Sequence, residues 1–473
     1  MPESRDSVLG FGVWDLGFGI FLVALLYLAP LLLDAPLTDP DEGLHAAISQ
    51  EMVERGDWIV PRFLGRAFLD KPILFFWAQA ASMRVFGMNT AAARLPGMLF
   101  GLLGIATTGW LAGTLFDRRI GWIAAGCYAT MVLPFLLAQA PVHDIALVPF
   151  TNLALAFLWR GGWDPGSGLR DPLLAAVALG LSILVKGLEG VAIVGAGYGV
   201  YLLITRSLTW RLVIRGALVV TVALLVALPW YLAMNAREPG YLHYYFVERH
   251  LMGFATATQE HHGQPWWYYL PLVAGGGLPW VVFIVLARHK AAAYTLVWAW
   301  LGAALVLLTL SQSKAVTYIL PAMPAIAILA AASLPSLRVW RTVAAASTAV
   351  YVAALVFFGP SVARDHSARD LADYFNVRLK PDTPEASGRL PSTIYVFDQR
   401  VAFVYYLRPD IRRRLRGDQI QSVSVEQLAA MQPFPHDAVV TIPADLASTR
   451  IPRIPPLAHA AWDRAGRFAV LIP

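Results

Sequence analysis

The chain has 473 residues, of which 57% are hydrophobic and only 14% charged. Soluble globular proteins run about 45–50% apolar and about 25% charged, so this composition excludes a soluble enzyme, a disordered chain and a secreted disulfide scaffold. The net charge of +6 could suit nucleic acid, but the positions of the basic residues account for it better.

Apolar runs lie, in chain order, at roughly 14–33, 95–115, 120–139, 145–159, 172–185, 187–205, 212–234, 266–287, 291–310, 315–334 and 339–359. Several reach about 18 residues, long enough to cross a bilayer as helices. A twelfth candidate, 72–87, is short and carries Arg84. The positive-inside rule decides whether it crosses. If it lies in the interface and the N-terminus is cytoplasmic, the cytoplasmic side receives Arg5, Arg118, Arg119, Arg160, Arg170, Arg206, Arg211, Arg215, Arg288, Lys290, Arg338 and Arg341. The short outer turns then receive only Lys186 and Lys314, and the loop 235–265 adds Arg237 and Arg249. If 72–87 crossed, Arg118, Arg119 and the Arg206/Arg211/Arg215 cluster would move outside. The reading is therefore eleven spans, an interfacial helix at 72–87 and an outer C-terminus. The first apolar run is too long for a signal peptide and no small-residue cleavage site follows it, so no cleavable leader is expected. Sixteen Trp and 17 Tyr suit interfacial belts. The single cysteine, Cys127, can form no internal bridge and thiol chemistry is not expected.

This predicts a membrane domain over 1–360 with two large outer loops, 34–94 and 235–265. From about 361 the composition turns polar, and about 110 residues suffice for one small domain. Its apolar runs TIYVFD (393–398), VAFVYYL (401–407), DAVVTIP (437–443) and FAVLIP (468–473) alternate with helical or turn-rich pieces, which predicts an α/β domain over 361–473.

The chemistry-bearing residues gather in the first outer loop. In TDPDEGLHAAISQEM (38–52), Asp39 reads as a helix N-cap, Pro40 as the first helical residue and Glu42 as the partner in a capping box. Asp41 is the surplus carboxylate. It is either a solvated first-turn acid that favours the helix dipole or a functional group. Pro72 marks another helix start, with Asp70 or Lys71 as its cap. A lysine at a helix N-terminus is oddly placed for the dipole. Together with free backbone N–H groups it forms an anion site, most naturally for phosphate; the alternative is a lysine reaching toward lipid headgroups.

His143 and Asp144 open a span at an outer helix end, where Asp144 serves equally as a plain N-cap. Lys186 and Glu189 share a tight outer turn and are placed to pair with each other. The cluster Glu260-His261-His262 resembles a metal site only loosely. These groups sit at headgroup level, whereas charges at mid-bilayer would mark a transport path. An acidic group near a phosphate-binding lysine at that level suits chemistry on a lipid phosphate.

DPDE at 39–42, EM at 51–52, GDWIVPRFLG at 56–65, DKP at 70–72, AARLPG at 92–97, HD at 143–144, KG at 186–187, WWYYLP at 266–271 and SKAVTYILP at 313–321 resemble the bacterial aminoarabinose transferases of lipid A. More loosely they resemble the protein O-mannosyltransferases. Both are GT-C membrane glycosyltransferases, and the resemblance covers roughly 35–325 in matching order. It implies a GT-C polytopic α-helical fold with periplasmic interfacial helices, in the bacterial inner membrane, with the site facing the periplasm. The implied donor is a polyprenyl-phosphate sugar. The implied acceptor is lipid A, with another envelope glycan or protein hydroxyls as alternatives; membrane lipids are the surroundings and no nucleic acid is involved.

By position, Asp41 matches the essential acid of the first loop, Asp144 the second conserved acid and Lys71 the phosphate-contacting lysine, with Arg249 beside it as a further phosphate ligand. Glu42, His45, Lys186, Lys314 and Tyr318 are implied as substrate-binding. No cofactor is required, although the Asp70 position and His250 in FVERHL match a pair that holds a divalent ion in relatives. Three departures stand out: Leu44-His45 replaces Arg-Tyr, Gly253 replaces an arginine, and Asp70 replaces a glutamate. The competing class is a polytopic lipid or solute transporter, which would carry polar residues at mid-span and repeated halves; neither is evident.

Overall fold

The computed structural model describes residues 22–33, 35–140, 142–161, 168–256, 263–287, 291–379, 391–397, 401–431, 438–444 and 462–471. They form two compact units. One comprises Met1–Leu33, Gly97–Val226 and Gly253–Ala354; the other comprises Asp34–Pro96, Ala227–Met252 and Leu355–Pro473.

The first unit is helical. Each of the eleven apolar runs contains helix among the described residues. Among the described residues five helices are long and apolar enough to cross a membrane: Thr90–Leu115, Trp210–Arg237, Ala292–Leu310, Val316–Ser333 and Leu337–Phe357. Counting each of two bent pairs as one span gives seven: Arg118–Ala129 with Val132–Gln139, bent by 62°, and Tyr269–Gly276 with Trp280–Leu286, bent by 103°. Several other runs form helices that are short or broken among the described residues. Arg170–Lys186 has 17 residues and Glu189–Ile204 has 16.

The first break is chemically supported. At Thr130 and Met131 the backbone leaves helical geometry, which frees carbonyls that lipid cannot satisfy. Tyr27 Oη donates to the Ala129 carbonyl at 3.1 Å and Tyr351 Oη to the Thr130 carbonyl at 2.9 Å. Trp280 Nε1 donates to Thr130 Oγ1 at 2.9 Å. Close packing uses small residues: a Cβ on Gly121 would lie 2.7 Å from the Gly109 carbonyl oxygen.

The second unit combines the first loop, residues 227–252 and the tail. Helix Leu74–Phe86 has 13 residues, about 20 Å at 1.5 Å per residue, too short for a bilayer core of about 30 Å. Strands β1 (Arg62–Phe63) and β2 (Arg66–Ala67) pair antiparallel through the turn Leu64-Gly65. Both turn residues have positive φ, 50° and 82°, as a tight hairpin of this twist requires. Gly65 adopts this conformation freely; Leu64 is held there by burial and by its carbonyl, which accepts the Gly417 N–H at 3.0 Å.

The tail carries a five-stranded sheet of β3 (Thr393–Phe397), β4 (Ile420–Val423), β5 (Ala438–Pro443), β6 (Trp462–Ala465) and β7 (Phe468–Leu471), in the order β4-β3-β5-β7-β6. Strand β3 is parallel to β4 and β5, while β7 is antiparallel to β5 and β6. The central strands β3 and β5 are buried along most of their length, which gives continuous apolar runs rather than alternation. Three of the four expected runs hold strands. VAFVYYL instead forms the short helix Phe403–Tyr406, since a short buried apolar run has no period that separates strand from helix.

Leu37, Ala46, Ala47, Leu64 and Ala93 of the first loop share one hydrophobic core with Phe375, Ile394, Ala402, Phe403 and Val470 of the tail.

Candidate active site

The second unit holds Asp41, Glu42, His45, Asp70, Lys71, Arg249 and His250; the first holds Asp144, Lys186, Lys314 and Tyr318.

Helix Asp41–Arg55 starts without any side-chain cap, with Pro40 at the N-cap position. Asp39 is therefore not the cap the sequence suggests. Its Oδ1 accepts from the Ala402 N–H at 2.6 Å, and its own N–H donates to the His366 carbonyl at 2.9 Å. Glu42 does not close a capping box with Asp39. Its Oε2 accepts from Thr38 N at 2.7 Å and Thr38 Oγ1 at 2.8 Å, and Arg94 binds both its oxygens, at 2.5 and 3.0 Å. Glu42 is 4% exposed, and these bonds make it a brace of the loop. Arg94 also donates to the Ala35 and Pro36 carbonyls at 2.6 and 2.8 Å. Sequence reasoning missed this arginine; the signal was a lone charge in AARLPG at the start of an apolar helix.

Asp41, one residue earlier, is exposed, and among the described residues no side chain or backbone group engages its carboxylate. His45 is buried and meets the rings of Phe76 and Phe68 edge-on, at 5.6 and 6.4 Å.

Helix Leu74–Phe86 has Ile73 at its N-cap position and no side-chain cap. Neither Asp70 nor Lys71 fills that role, because both lie before the helix begins. Lys71 is half-buried and has no ion pair among the described residues. Asp70 is engaged: Tyr244 Oη donates to Oδ1 at 2.5 Å, and Arg249 Nε lies 3.8 Å from the same oxygen. Burial first, and then this bond to Asp70, push the Tyr244 phenol well above its ordinary pKa. Tyr244 belongs to a π-helical stretch, Tyr244–Met252, which also carries Arg249 and His250.

His250 Nδ1 lies 2.9 Å from the Tyr245 carbonyl, and its ring packs on Tyr245 at 4.6 Å. The metal expectation at Asp70 and His250 gains no further donors. Among the described residues no group of three or more His, Cys, Asp or Glu is placed to hold a metal ion. Glu260, His261 and His262 lie outside the described residues.

In the first unit, Lys186 ends helix Arg170–Lys186 and is 6% exposed. Its ammonium pairs with Asp144 and with Glu189 Oε2 at 2.7 Å, and it lies 3.8 Å from the centroid of the Tyr318 ring. The expected Lys186–Glu189 pair is present, and Asp144 completes it. Lys186 is thus held by Asp144, Glu189 and the Tyr318 ring. Lys314 differs. It is buried, and among the described residues its Nζ has only the Ser311 carbonyl, at 2.5 Å.

Residues 70–232 match the dolichyl-phosphate-mannose-protein mannosyltransferase family, a segment that contains Asp70, Lys71, Asp144 and Lys186. The undecaprenyl phosphate-α-4-amino-4-deoxy-L-arabinose arabinosyl transferase of Aeromonas hydrophila is 33% identical over 319 residues, covering 65% of this chain and 57% of the relative. The enzyme of the same name from Pseudomonas paraeruginosa is 35% identical over 331 residues, covering 67% and 58%. Over these segments the chain is similar to the aminoarabinose transferases. It spans a little under three-fifths of the length of these curated relatives.

The fold agrees with that similarity. The crystal structure of ArnT from Cupriavidus metallidurans bound to undecaprenyl phosphate matches with a TM-score of 0.72 at 23% identity, covering 97% of this chain and 98% of that one. The archaeal oligosaccharyltransferase AglB from Archaeoglobus fulgidus matches more distantly, with a TM-score of 0.51 at 13% identity, covering 97% and 75%. This chain is accordingly a multi-pass helical membrane protein of the GT-C fold.

Proposed function

We propose that this GT-C protein transfers a sugar from a polyprenyl phosphate donor, with undecaprenyl as the lipid, to a periplasmic acceptor, lipid A first among them. The relatives' names supply the donor and sugar class. The proposed site faces the periplasm from the inner membrane, in keeping with the distribution of basic residues between loops.

One observation carries the reading. Around the first loop nearly every charged group is paired: Glu42 with Arg94, Glu51 with Arg55, Asp57 with Arg237, Arg62 with Glu238 and Glu54 with Arg412. Asp41, Arg66, Lys71 and Arg84, all in the same unit, are left uncommitted among the described residues, and Lys71 alone of the three cations is half-buried rather than exposed. Paired charges brace a fold; uncommitted ones are available to a ligand.

The chemistry needs no cofactor step. The anomeric C–O bond to the lipid phosphate breaks as a new C–O bond to the acceptor forms. Lys71, with Arg249 beside Asp70, stabilises the charge growing on the departing phosphate. Asp41 removes a proton if the acceptor is a hydroxyl. If the acceptor is already an anionic phosphate, Asp41 instead orients the sugar and stabilises its developing positive charge. Attack opposite the leaving phosphate inverts the anomeric centre. Alignment of two bound reactants supplies much of the rate, because the donor is already activated.

Mass spectrometry of lipid A and other envelope glycans from cells with and without the gene tests the proposal. A mass difference corresponding to one sugar on lipid A is expected. Identical profiles in every envelope fraction would contradict it and favour a transport role.

A further inference from the structure

We propose that the C-terminal segment sets the position of the first-loop acid, with Ala402 and Tyr406 as positioning residues for Asp41. This rests on the reading of Asp41 as a group that acts on the substrate. An exposed carboxylate that no described residue engages takes its place in space from its backbone. The backbone leading into Asp41 is held residue by residue from outside. Arg94 holds the carbonyls of Ala35 and Pro36, and Glu42 holds the Thr38 N–H. The remaining anchors come from the tail, more than 300 positions away. Tyr406 Oη accepts the Leu37 N–H at 2.6 Å, the His366 carbonyl accepts the Asp39 N–H at 2.9 Å, and the Ala402 N–H donates to Asp39 Oδ1 at 2.6 Å.

The first turn of the helix is seated on the same segment. A Cβ on Gly43 would fall 2.2 Å from the Ala402 Cβ, so the two backbones touch where only glycine fits. Asp39 is consumed by this docking, which is why it does not cap the helix. The tail and first loop share one hydrophobic core, so the anchors rest on a packed base. Misplacing a reacting group by about 1 Å costs on the order of 100-fold in rate, and these anchors are spaced to prevent that.

Two variants of the full-length protein test the proposal. Tyr406→Phe removes the acceptor of the Leu37 N–H and keeps the ring. Ala402→Pro removes the N–H that Asp39 accepts, at a φ of −59° that proline adopts. Hydrogen–deuterium exchange of peptides covering 37–48 is read in both, together with kcat and donor KM on a polyprenyl-phosphate sugar, each in wild-type and Asp41→Glu backgrounds. The expected result is faster exchange over 37–45, kcat lower by about 10-fold, donor KM within about twofold, and no further loss in the Asp41→Glu background.

Unchanged exchange overturns the proposal, as does faster exchange with unchanged kcat. An equal fold-loss in the Asp41→Glu background also overturns it, since the tail would then act on folding rather than through Asp41. If the wild type transferred sugar from no donor, the functional reading would fail, and the exchange result alone would decide whether the tail holds this backbone.

Discussion

The Arg94 guanidinium binds both oxygens of Glu42, at 2.5 and 3.0 Å, with both side chains under 10% exposed. The pair braces the backbone that leads into Asp41, alongside the anchors from the tail. Arg94→Ala leaves Glu42 buried without its counter-charge and frees the Ala35 and Pro36 carbonyls. A loss of about 3–5 kcal/mol is expected, seen as a lower thermal midpoint in detergent. A midpoint equal to wild type would show that the pair does not brace the loop.

Lys186 presents the same physics in the first unit, with two carboxylates instead of one. Lys186→Ala strands Asp144 and Glu189 and is expected to cost about 3–5 kcal/mol. Glu189→Gln leaves one full ion pair and is expected to cost less than half as much. Equal losses in the two variants, measured by thermal unfolding, would contradict the assignment of Lys186 as the hub.

Lys71 and Tyr244 are predicted to act on the donor. Lys71→Ala removes an uncommitted charge, so donor affinity falls by about 10-fold or more while the unfolding midpoint hardly moves. Tyr244→Phe frees Asp70, now 3.8 Å from Arg249, to draw that arginine into a closer pair, and donor KM rises by a few fold. Titration of undecaprenyl phosphate against both variants checks this; wild-type affinity in Lys71→Ala would remove the phosphate role.

Alkaline pH should destabilise the second unit. Burial raises the pKa of Tyr405 and Tyr406, as it does for Tyr244. In the unfolded chain these phenols ionise near about 10. Below that pH both states hold the proton and the contribution to stability is complete. It is lost as pH rises through about 10 toward the folded values, because only the unfolded state releases protons. Unfolding midpoints measured from pH 8 to 11 by about half-unit steps should fall only at the upper end. A fall centred near neutrality would assign the dependence to other groups.

Hydropathy made the helical runs legible, because span length and apolarity are local properties. It did not show where helices break: the bend at Thr130 depends on Tyr27, Trp280 and Tyr351, which come from three distant segments. In the motif DPDE, capping rules pair Asp39 and Glu42 with the start of their own helix, and the structure pairs them elsewhere. Capping rules look three or four residues along the chain, whereas Asp39 is claimed by Ala402 and Glu42 by Arg94. Lys186 and Glu189 were readable as a pair because they are three residues apart in a turn; Asp144, 42 positions away, was not readable as the third member. In the tail, β4 and β6 went unseen because their sequences, IQSV and WDRA, lack the apolar runs that marked β3, β5 and β7.

On the proposed function, Asp41 and Lys71 of the first loop carry out sugar transfer from a lipid phosphate. Its most direct test is turnover by purified protein in liposomes given an undecaprenyl-phosphate aminosugar and lipid A, with the wild type set beside Asp41→Asn. A glycosylated lipid A of inverted anomeric configuration from the wild type, and at least about a 100-fold lower rate from the variant, is the predicted result. Equal rates from the two proteins would contradict it.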